Sequence, residues 1–173
     1  VAITYMVGDL VDLAANGTFS VVVHGANCKQ TMNSGVAKAL RDKWPQVYAA
    51  DLAYSTAGNP LKLGRYSQAY VDCGTIKIAI INAYIQFDFG YDGARYVEYC
   101  AIHDVFSGLA AHYRSCAAQP VIGLPRIGCG RAGGKWDIVS GILDATMPDF
   151  DLRVVDLPQP EVWYNRVLAG GRS

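Results

Sequence analysis

The chain has 173 residues, about half of them apolar, and its 15 basic side chains balance 15 acidic ones. That length suits one domain with a sizeable core. Zero formal charge without clustered Lys and Arg argues against nucleic acid as the main partner, though not against a nucleotide, and apolar runs no longer than a strand argue against a membrane span.

Taken in chain order, residues 2–7 read as a strand. This start has no basic n-region and does not read as a signal peptide; the absent initiator Met predicts that something upstream was removed or omitted. Gly8-Asp9-Leu10 breaks the strand, and residues 11–15 form a short helix. Residues 18–24 are a β-branched run and predict a buried strand ending at His24. Residues 34–52 carry apolar side chains at helical spacing, with Pro45 as a kink or a first-turn restart. Residues 55–63, with Gly58-Asn59-Pro60, form a loop.

Residues 65–71 and 76–84 predict strands joined by a hairpin turn at Asp72-Cys73-Gly74. Residues 86–93 read as a loop, 96–113 as a helix and 120–124 as a strand. A glycine-rich stretch fills 125–134, a helix follows over 136–145, and a last strand covers 152–157. Alternating strands and helices imply a layered α/β domain. There is no repeat, linker or low-complexity tract. The expected domain spans residues 1–158. The tail, 159–173, could add one short helix over 161–168, with Trp163 and Tyr164 packing on the body or on a partner.

Five cysteines, Cys28, Cys73, Cys100, Cys116 and Cys129, give no CxxC pair, and three histidines complete no short-spaced zinc set. Reduced cytosolic thiols are the expectation, with no metal and no cofactor.

Two segments follow strands and precede helices: "HGANCKQTMNSGVAKAL" (24–40) and "LPRIGCGRAGGKW" (124–136). In open α/β sheets ligands sit at the carboxyl ends of strands. Glycines let backbone N–H groups approach phosphate, and a helix N-terminus adds a favourable dipole. Two such loops could clasp a diphosphate from both sides. No GxxxxGK[ST] is present, and Gly128–Gly133 fits GxGxxG only by letter.

With "ITYMVGDL" (3–10) and "IINAYIQ" (80–86), these segments resemble the macro domain, an ADP-ribose-binding module. The nearest branch contains ADP-ribose 1″-phosphate phosphatases and terminal ADP-ribose glycohydrolases, including phage-encoded members. The resemblance covers Ile3 to Leu157 and implies a three-layer α/β/α sandwich around a mixed central sheet, with ADP-ribose or a derivative as partner. The setting it implies is cytoplasmic, the host's if phage-encoded.

The resemblance assigns adenine to Gly8, Asp9 and Leu10, with the Asp9 carboxylate accepting from the amino group; a helix N-cap is the alternative role for Asp9. Leu157 and Pro158 close over the adenine. Ala26 and Asn27 meet the distal ribose, which Thr31, Asn33, Ser34, Gly35 and Val36 wrap. Pro125 and Arg126 lead into Ile127, Gly128, Cys129, Gly130, Arg131 and Ala132, whose N–H groups lie over the diphosphate. Arg126 either contacts phosphate or braces the loop. Asn33 stands where relatives usually have glycine, and asparagine tolerates left-handed backbone.

The lysine and aspartate of the glycohydrolases are replaced by Ala83 or Tyr84 and by Ala132, so their covalent route is not expected. What remains is metal-free hydrolysis of ADP-ribose 1″-phosphate. Asn27 is the residue the resemblance supports for positioning water; Gln86 and Asp88 are candidates from the sequence. Asp88, among aromatics, could have a raised pKa, or it could be a solvated turn residue. His24 is either a general base or a satisfied core residue. Cys129 lies near a helix start, which lowers a thiol pKa, but without a His partner near in sequence it is read as a loop residue whose amide matters more than its sulfur. The alternatives to the phosphatase are a non-catalytic reader and a hydrolase of another ADP-ribose derivative.

Overall fold

The structure is a computed structural model and describes residues 3–159; the expected tail helix and all but the first of the tail residues lie outside them. The order is β1 (Thr4–Val7), α1 (Leu10–Ala15), β2 (Val21–Asn27), α2 (Gly35–Lys43), α3 (Pro45–Tyr54), a 3₁₀ turn (Pro60–Lys62), β3 (Tyr66–Cys73), β4 (Ile76–Gln86), α4 (Tyr99–Arg114), β5 (Val121–Leu124), α5 (Trp136–Thr146) and β6 (Asp151–Asp156).

The six strands form one sheet in the order β1-β6-β5-β2-β4-β3. All neighbours are parallel except β3 and β4. Because strand side chains alternate in direction, Val21 and Val23 join Ile81, Ala83 and Ile85 in the core under α4 and α5. Val22 joins Ile78 and Ile80 in the core under α1, α2 and α3. Helices thus cover both faces, the three-layer arrangement the resemblance implied. Edge strand β3 buries Ser67, Ala69, Val71 and Cys73 and exposes Gln68, Tyr70 and Asp72, as a half-covered strand should.

Several boundaries differ from those read in the sequence, each for a tertiary reason. β2 continues past His24, because Gly25, Ala26 and Asn27 pair with Ala83, Tyr84 and Gln86 of β4. The single helix expected over 34–52 is two. Trp44 adopts φ −131° and ψ 93°, and Pro45 opens α3 at its first position. A proline excludes helical backbone from the residue before it and has no N–H to lose in a first turn. α4 begins at Tyr99 because Tyr96 and Val97 donate their N–H groups to Ala132 O, and Glu98 donates to Ile85 O. The β3–β4 turn falls at Gly74-Thr75, with Gly74 at φ +68°.

β2 lies between two parallel neighbours, β5 and β4. From it the chain moves to β4 and β3 on one side and to β5 and β6 on the other. Such a reversal opens a crevice at the strand ends, and both glycine-bearing loops border it.

Candidate functional site

Two hollows lie there. The first, of about 390 Å³, is lined by the end of β2, residues 31–37, part of the loop after β4, and the loop after β5. The second, of about 430 Å³, is lined by Gly8–Val11, the start of α2, Pro125 and Val155–Leu157. Gly35, Val36 and Pro125 border both, so the two form one trough.

At the far end of the second hollow, Gly8 N donates to Asp156 O at 2.9 Å, fixing the exit of β1 on β6. Asp9 caps α1. Its Oδ1 accepts from Val11 N at 2.9 Å and Asp12 N at 3.0 Å. Both caps fall on one oxygen, and no described residue donates to Oδ2. Leu10 is buried beneath, and Leu157, 67% exposed, forms the opposite lip.

The first loop is held by side chains. Asn27 Nδ2 donates to Thr31 Oγ1 at 2.8 Å and Thr31 O at 3.1 Å, while its Oδ1 accepts from Lys29 N at 2.9 Å. Both ends of this amide are therefore spent on the loop. Gln30 sits at φ +59°, held there by Nε2 donating to Ser55 O and by its own carbonyl accepting from Tyr48 OH at 3.0 Å. The left-handed residue further along is Gly35, φ +58°, and not Asn33, which is exposed and accepts from Arg41 Nη1 at 3.0 Å. The Ser34 side chain makes no cap on α2. Among the described residues, nothing accepts from the N–H groups of Gly35, Val36 and Ala37, and all three residues line the first hollow. An uncapped first turn of this kind is a ready anion site.

The second loop is held by backbone. Gly134 N donates to Gly128 O at 2.8 Å, Gly133 N to Gly130 O at 3.1 Å, and Cys129 N to Arg126 O at 3.1 Å. Ile127 N is likewise spent on Pro125 O. The expectation that every N–H from Ile127 to Ala132 faces the ligand is therefore corrected for Ile127 and Cys129, whose donors close the turn. Those of Gly128, Gly130, Arg131 and Ala132 meet no acceptor among the described residues. Gly128 has φ +74°, and a Cβ there would lie 2.8 Å from Val97 Cγ2. Cys129 does not line either hollow. Burial raises its thiol pKa, with Arg126 opposing. The lowering that a nearby helix start would give is thus corrected, because burial outweighs it.

Arg126 braces the trough. It forms a two-pronged pair with Asp156, at 2.7 and 2.9 Å, and this hydrogen bonding lowers the Asp156 pKa. Arg131, exposed, stands over the Tyr91 ring at 4.5 Å. Gln86 reaches the first hollow and donates Nε2 to Asp88 O at 2.8 Å. Asp88 does not line it. Its carboxylate is exposed and accepts from Phe89 N, so the apolar surround expected for it is absent. The residues that do wall this side, Phe89, Gly90 and Tyr91, escaped the sequence reading. Their signal was the aromatic and glycine content of "QFDFGYDG", which does not say which of its residues border the hollow.

His24 lies in the core, fully buried, with Nε2 against Asn82 Oδ1 and Nδ1 against Gly25 O. Burial lowers its pKa, while the contacts with Asn82 and Gly25 oppose that shift. It is the front end of a buried polar seam. Asn82 Nδ2 donates to Ser67 Oγ, Ser67 shares a hydrogen bond with Tyr84 OH, Tyr84 donates to Asp51, and Asp51 pairs with buried Lys62 at 3.0 Å. The Lys62 burial escaped the sequence reading because the 3₁₀ turn carrying it did. Every buried polar side-chain atom among the described residues has a partner, so the seam fixes the strand ends at low cost. Among the described residues, no three His, Cys, Asp or Glu side chains converge on a metal position, and no helix is long and apolar enough to cross a membrane.

No protein-family model matches the chain. It is 36% identical over 154 residues to an uncharacterised 17.5 kDa protein from the tk-vs intergenic region of Enterobacteria phage T4, covering 89% of this chain and 96% of that one. The macrodomain of Mycobacterium tuberculosis DarG superposes with a TM-score of 0.65 at 23% identity, over 91% of this chain and 98% of that one. Thermosipho africanus DarTG in complex with ADP-ribose superposes at 0.68 and 14% identity, over 92% of this chain and 44% of that one. At these identities the two structures speak to fold. The chain therefore belongs to the family of the phage T4 17.5 kDa protein and has the macrodomain fold.

Proposed function

We propose that this protein binds ADP-ribose along the joined hollows and hydrolyses ADP-ribose 1″-phosphate to ADP-ribose and phosphate. The observation that carries the reading is the trough itself: a carboxylate at one end, backbone N–H groups with no acceptor among the described residues at the other, and Gly35, Val36 and Pro125 common to both halves. Adenine lies in the second hollow, its amino group donating to Asp9 Oδ2, with Leu10 and Leu157 on its faces. The diphosphate takes the N–H groups of Gly128, Gly130, Arg131 and Ala132. The distal ribose enters the first hollow beside Ala26, Asn27 and Thr31. The ADP-ribose held by the DarTG structure supports the same ligand class.

In the hydrolysis, water attacks the 1″ phosphorus, the bond from phosphorus to the ribose oxygen breaks, and the proton the water gives up is balanced by the one the ribose oxygen gains, the exchange passing through solvent or the phosphoryl oxygens. The N–H groups of Gly35 and Val36 stabilise the charge gathering on the phosphoryl oxygens, as fixed donors do. Gln86 Oε1 accepts from the water in this reading, which its Nε2, committed to Asp88 O, leaves it free to do. Asn27 contributes by holding the loop, since its amide is engaged with Lys29 and Thr31.

That engagement favours a second reading, a reader that binds ADP-ribose without turning over a derivative. Calorimetric titration with ADP-ribose, followed by a phosphate-release assay with ADP-ribose 1″-phosphate, separates the two. Binding with release supports the phosphatase, and Gln86→Ala should then lower turnover more than affinity. Binding without release leaves the reader. Absence of binding would sink both.

A further inference from the structure

One ion pair at the waist of the trough, the brace between Arg126 and Asp156, touches no part of the ligand in that reading. Arg126 borders the first hollow and Asp156 the second. Arg126 Nε and Nη2 donate to the two carboxylate oxygens of Asp156, the paired geometry that fixes a guanidinium in direction as well as position. The same guanidinium lies 5.2 Å from the Tyr5 ring and 5.3 Å from the Trp136 ring. Trp136 Nε1 donates to Tyr5 OH at 3.0 Å, tying those rings together. Thus β1, α5 and β6 all hold one arginine. Yet the two side chains are 43% and 36% exposed, and exposed pairs contribute little to stability. The arrangement fits recognition better than support.

A ligand with adenine in one hollow and diphosphate in the other must carry its adenosine ribose across the waist, past Gly35, Val36 and Pro125 and beside this pair. We propose that Arg126 and Asp156 together determine specificity at that ribose, accepting a free 2′-hydroxyl and rejecting a 2′-phosphate. The ligand class is then the ADP-ribose unit derived from NAD, and not its 2′-phosphorylated counterpart derived from NADP. The inference rests on the ADP-ribose reading above.

The chemistry is that of any site that separates these two nucleotides. A carboxylate accepts from the 2′-hydroxyl, and a free arginine accommodates a 2′-phosphate. Here both residue types are present and joined. Asp156 spends the fork donors of Arg126 and presents acceptor oxygens. A 2′-phosphate, with about −1.5 to −2 charge near neutral pH, would meet a carboxylate and a guanidinium already neutralised. Removing the carboxylate charge reverses the preference, because the two rings still hold Arg126 at the waist.

The test is calorimetry with ADP-ribose and with 2′-phospho-ADP-ribose on the wild-type protein, Asp156→Asn, Arg126→Leu and the double variant. Wild type should favour ADP-ribose by about tenfold or more, the size of one lost charged contact. Asp156→Asn should move the ratio of the two dissociation constants at least tenfold toward the 2′-phosphate, and adding Arg126→Leu should cancel that gain. Arg126→Leu alone, which leaves the carboxylate unpaired, should reject the 2′-phosphate more strongly than wild type. This arm keeps the test alive if Asp156→Asn melts early. Equal binding of the two ligands by wild type, or a ratio unmoved within threefold in both single variants, overturns the selectivity while leaving ADP-ribose binding intact. A wild-type protein that binds neither ligand overturns the ADP-ribose reading and the selectivity with it.

Discussion

The two loops that face the trough do the same work by different means. The first, 27–36, has backbone ties at Cys28, to Gln86, Phe87 and Gly58, and beyond it is tied by side chains: Asn27 to Lys29 and Thr31, Gln30 to Ser55, Tyr48 to Gln30, Arg41 to Asn33. The second, 125–134, is tied by backbone, through Gly134 to Gly128, Gly133 to Gly130, and Ala132 O to Tyr96 and Val97. A loop closed by its own main chain should tolerate changes of side chain and resist changes of backbone freedom. A loop closed by side chains should do the reverse.

The sharpest way to break this contrast is Gly128→Ala. An L-residue at φ +74° costs about 1–2 kcal/mol, and the new Cβ would sit 2.8 Å from Val97 Cγ2, so the total should be about 2–3 kcal/mol. In a chain of this size that lowers Tm by about 5–10 °C. Arg131→Ala, in the same loop but on the surface, should change stability by less than about 0.5 kcal/mol. Thermal melting of both variants decides it, and equal losses would mean that side chains hold this loop too.

The counterpart in the first loop is Asn27→Ala. It leaves Lys29 N without its acceptor and Thr31 without its donor, at about 1–2 kcal/mol for part-buried groups. Because Gly35 and Val36 follow from this loop into α2, ADP-ribose affinity should fall about tenfold. Hydrogen exchange should quicken over 28–36 and stay unchanged over 126–134. Faster exchange in both loops would show that they open as one unit.

The same contrast explains what the sequence could disclose. Strand and helix periods revealed the layered fold, because period depends on burial of alternate or fourth residues and little else. Boundaries failed wherever a distant backbone group decided them, as when β4 drew β2 on to Asn27 or Ala132 O held back the start of α4. The glycines of the second loop were legible because a residue type maps directly onto a backbone state. That Phe89 and Tyr91, though exposed, border the first hollow while Asp88 does not, and that Arg126 pairs with Asp156 across 30 positions, depend on how loops and side chains lie after packing, and no local pattern carries that.

A smaller effect should appear with pH. Burial holds the folded His24 pKa below its usual 6.5, so below that value the unfolded chain binds a proton that the folded one does not. Stability should therefore fall as pH drops through 6.5 toward the folded value, with a slope of at most about 1.4 kcal/mol per pH unit. The paired aspartates Asp149 and Asp156, whose pKa values are lowered from 3.8, act in a separate and more acidic window. They contribute stability above that value and lose it as pH falls through their folded pKa values. His24→Gln should flatten the slope between pH 6.5 and 5 in denaturant titrations, whatever its cost to absolute stability. Since His24 lies on the strand that leads into the first loop, acidification in this window should speed exchange over 28–36 before 126–134.

The smallest effect should come from Asn33→Gly. Asn33 is exposed and lacks positive φ, so glycine relieves no strain there. The change removes one exposed hydrogen bond from Arg41, which also lies near Asp42 at 3.4 Å and over the Tyr48 ring at 5.9 Å. A cost of a few tenths of a kcal/mol is expected, with ADP-ribose affinity within about threefold of wild type. Of the side-chain ties that hold the first loop, this one therefore counts least, because Arg41 keeps two other partners when it is lost whereas Lys29 N and Thr31 keep none when Asn27 goes. A tenfold gain in affinity for Asn33→Gly would instead mean that the asparagine side chain crowds the distal ribose, and the wall of the first hollow at 31–33 would have to be redrawn around it.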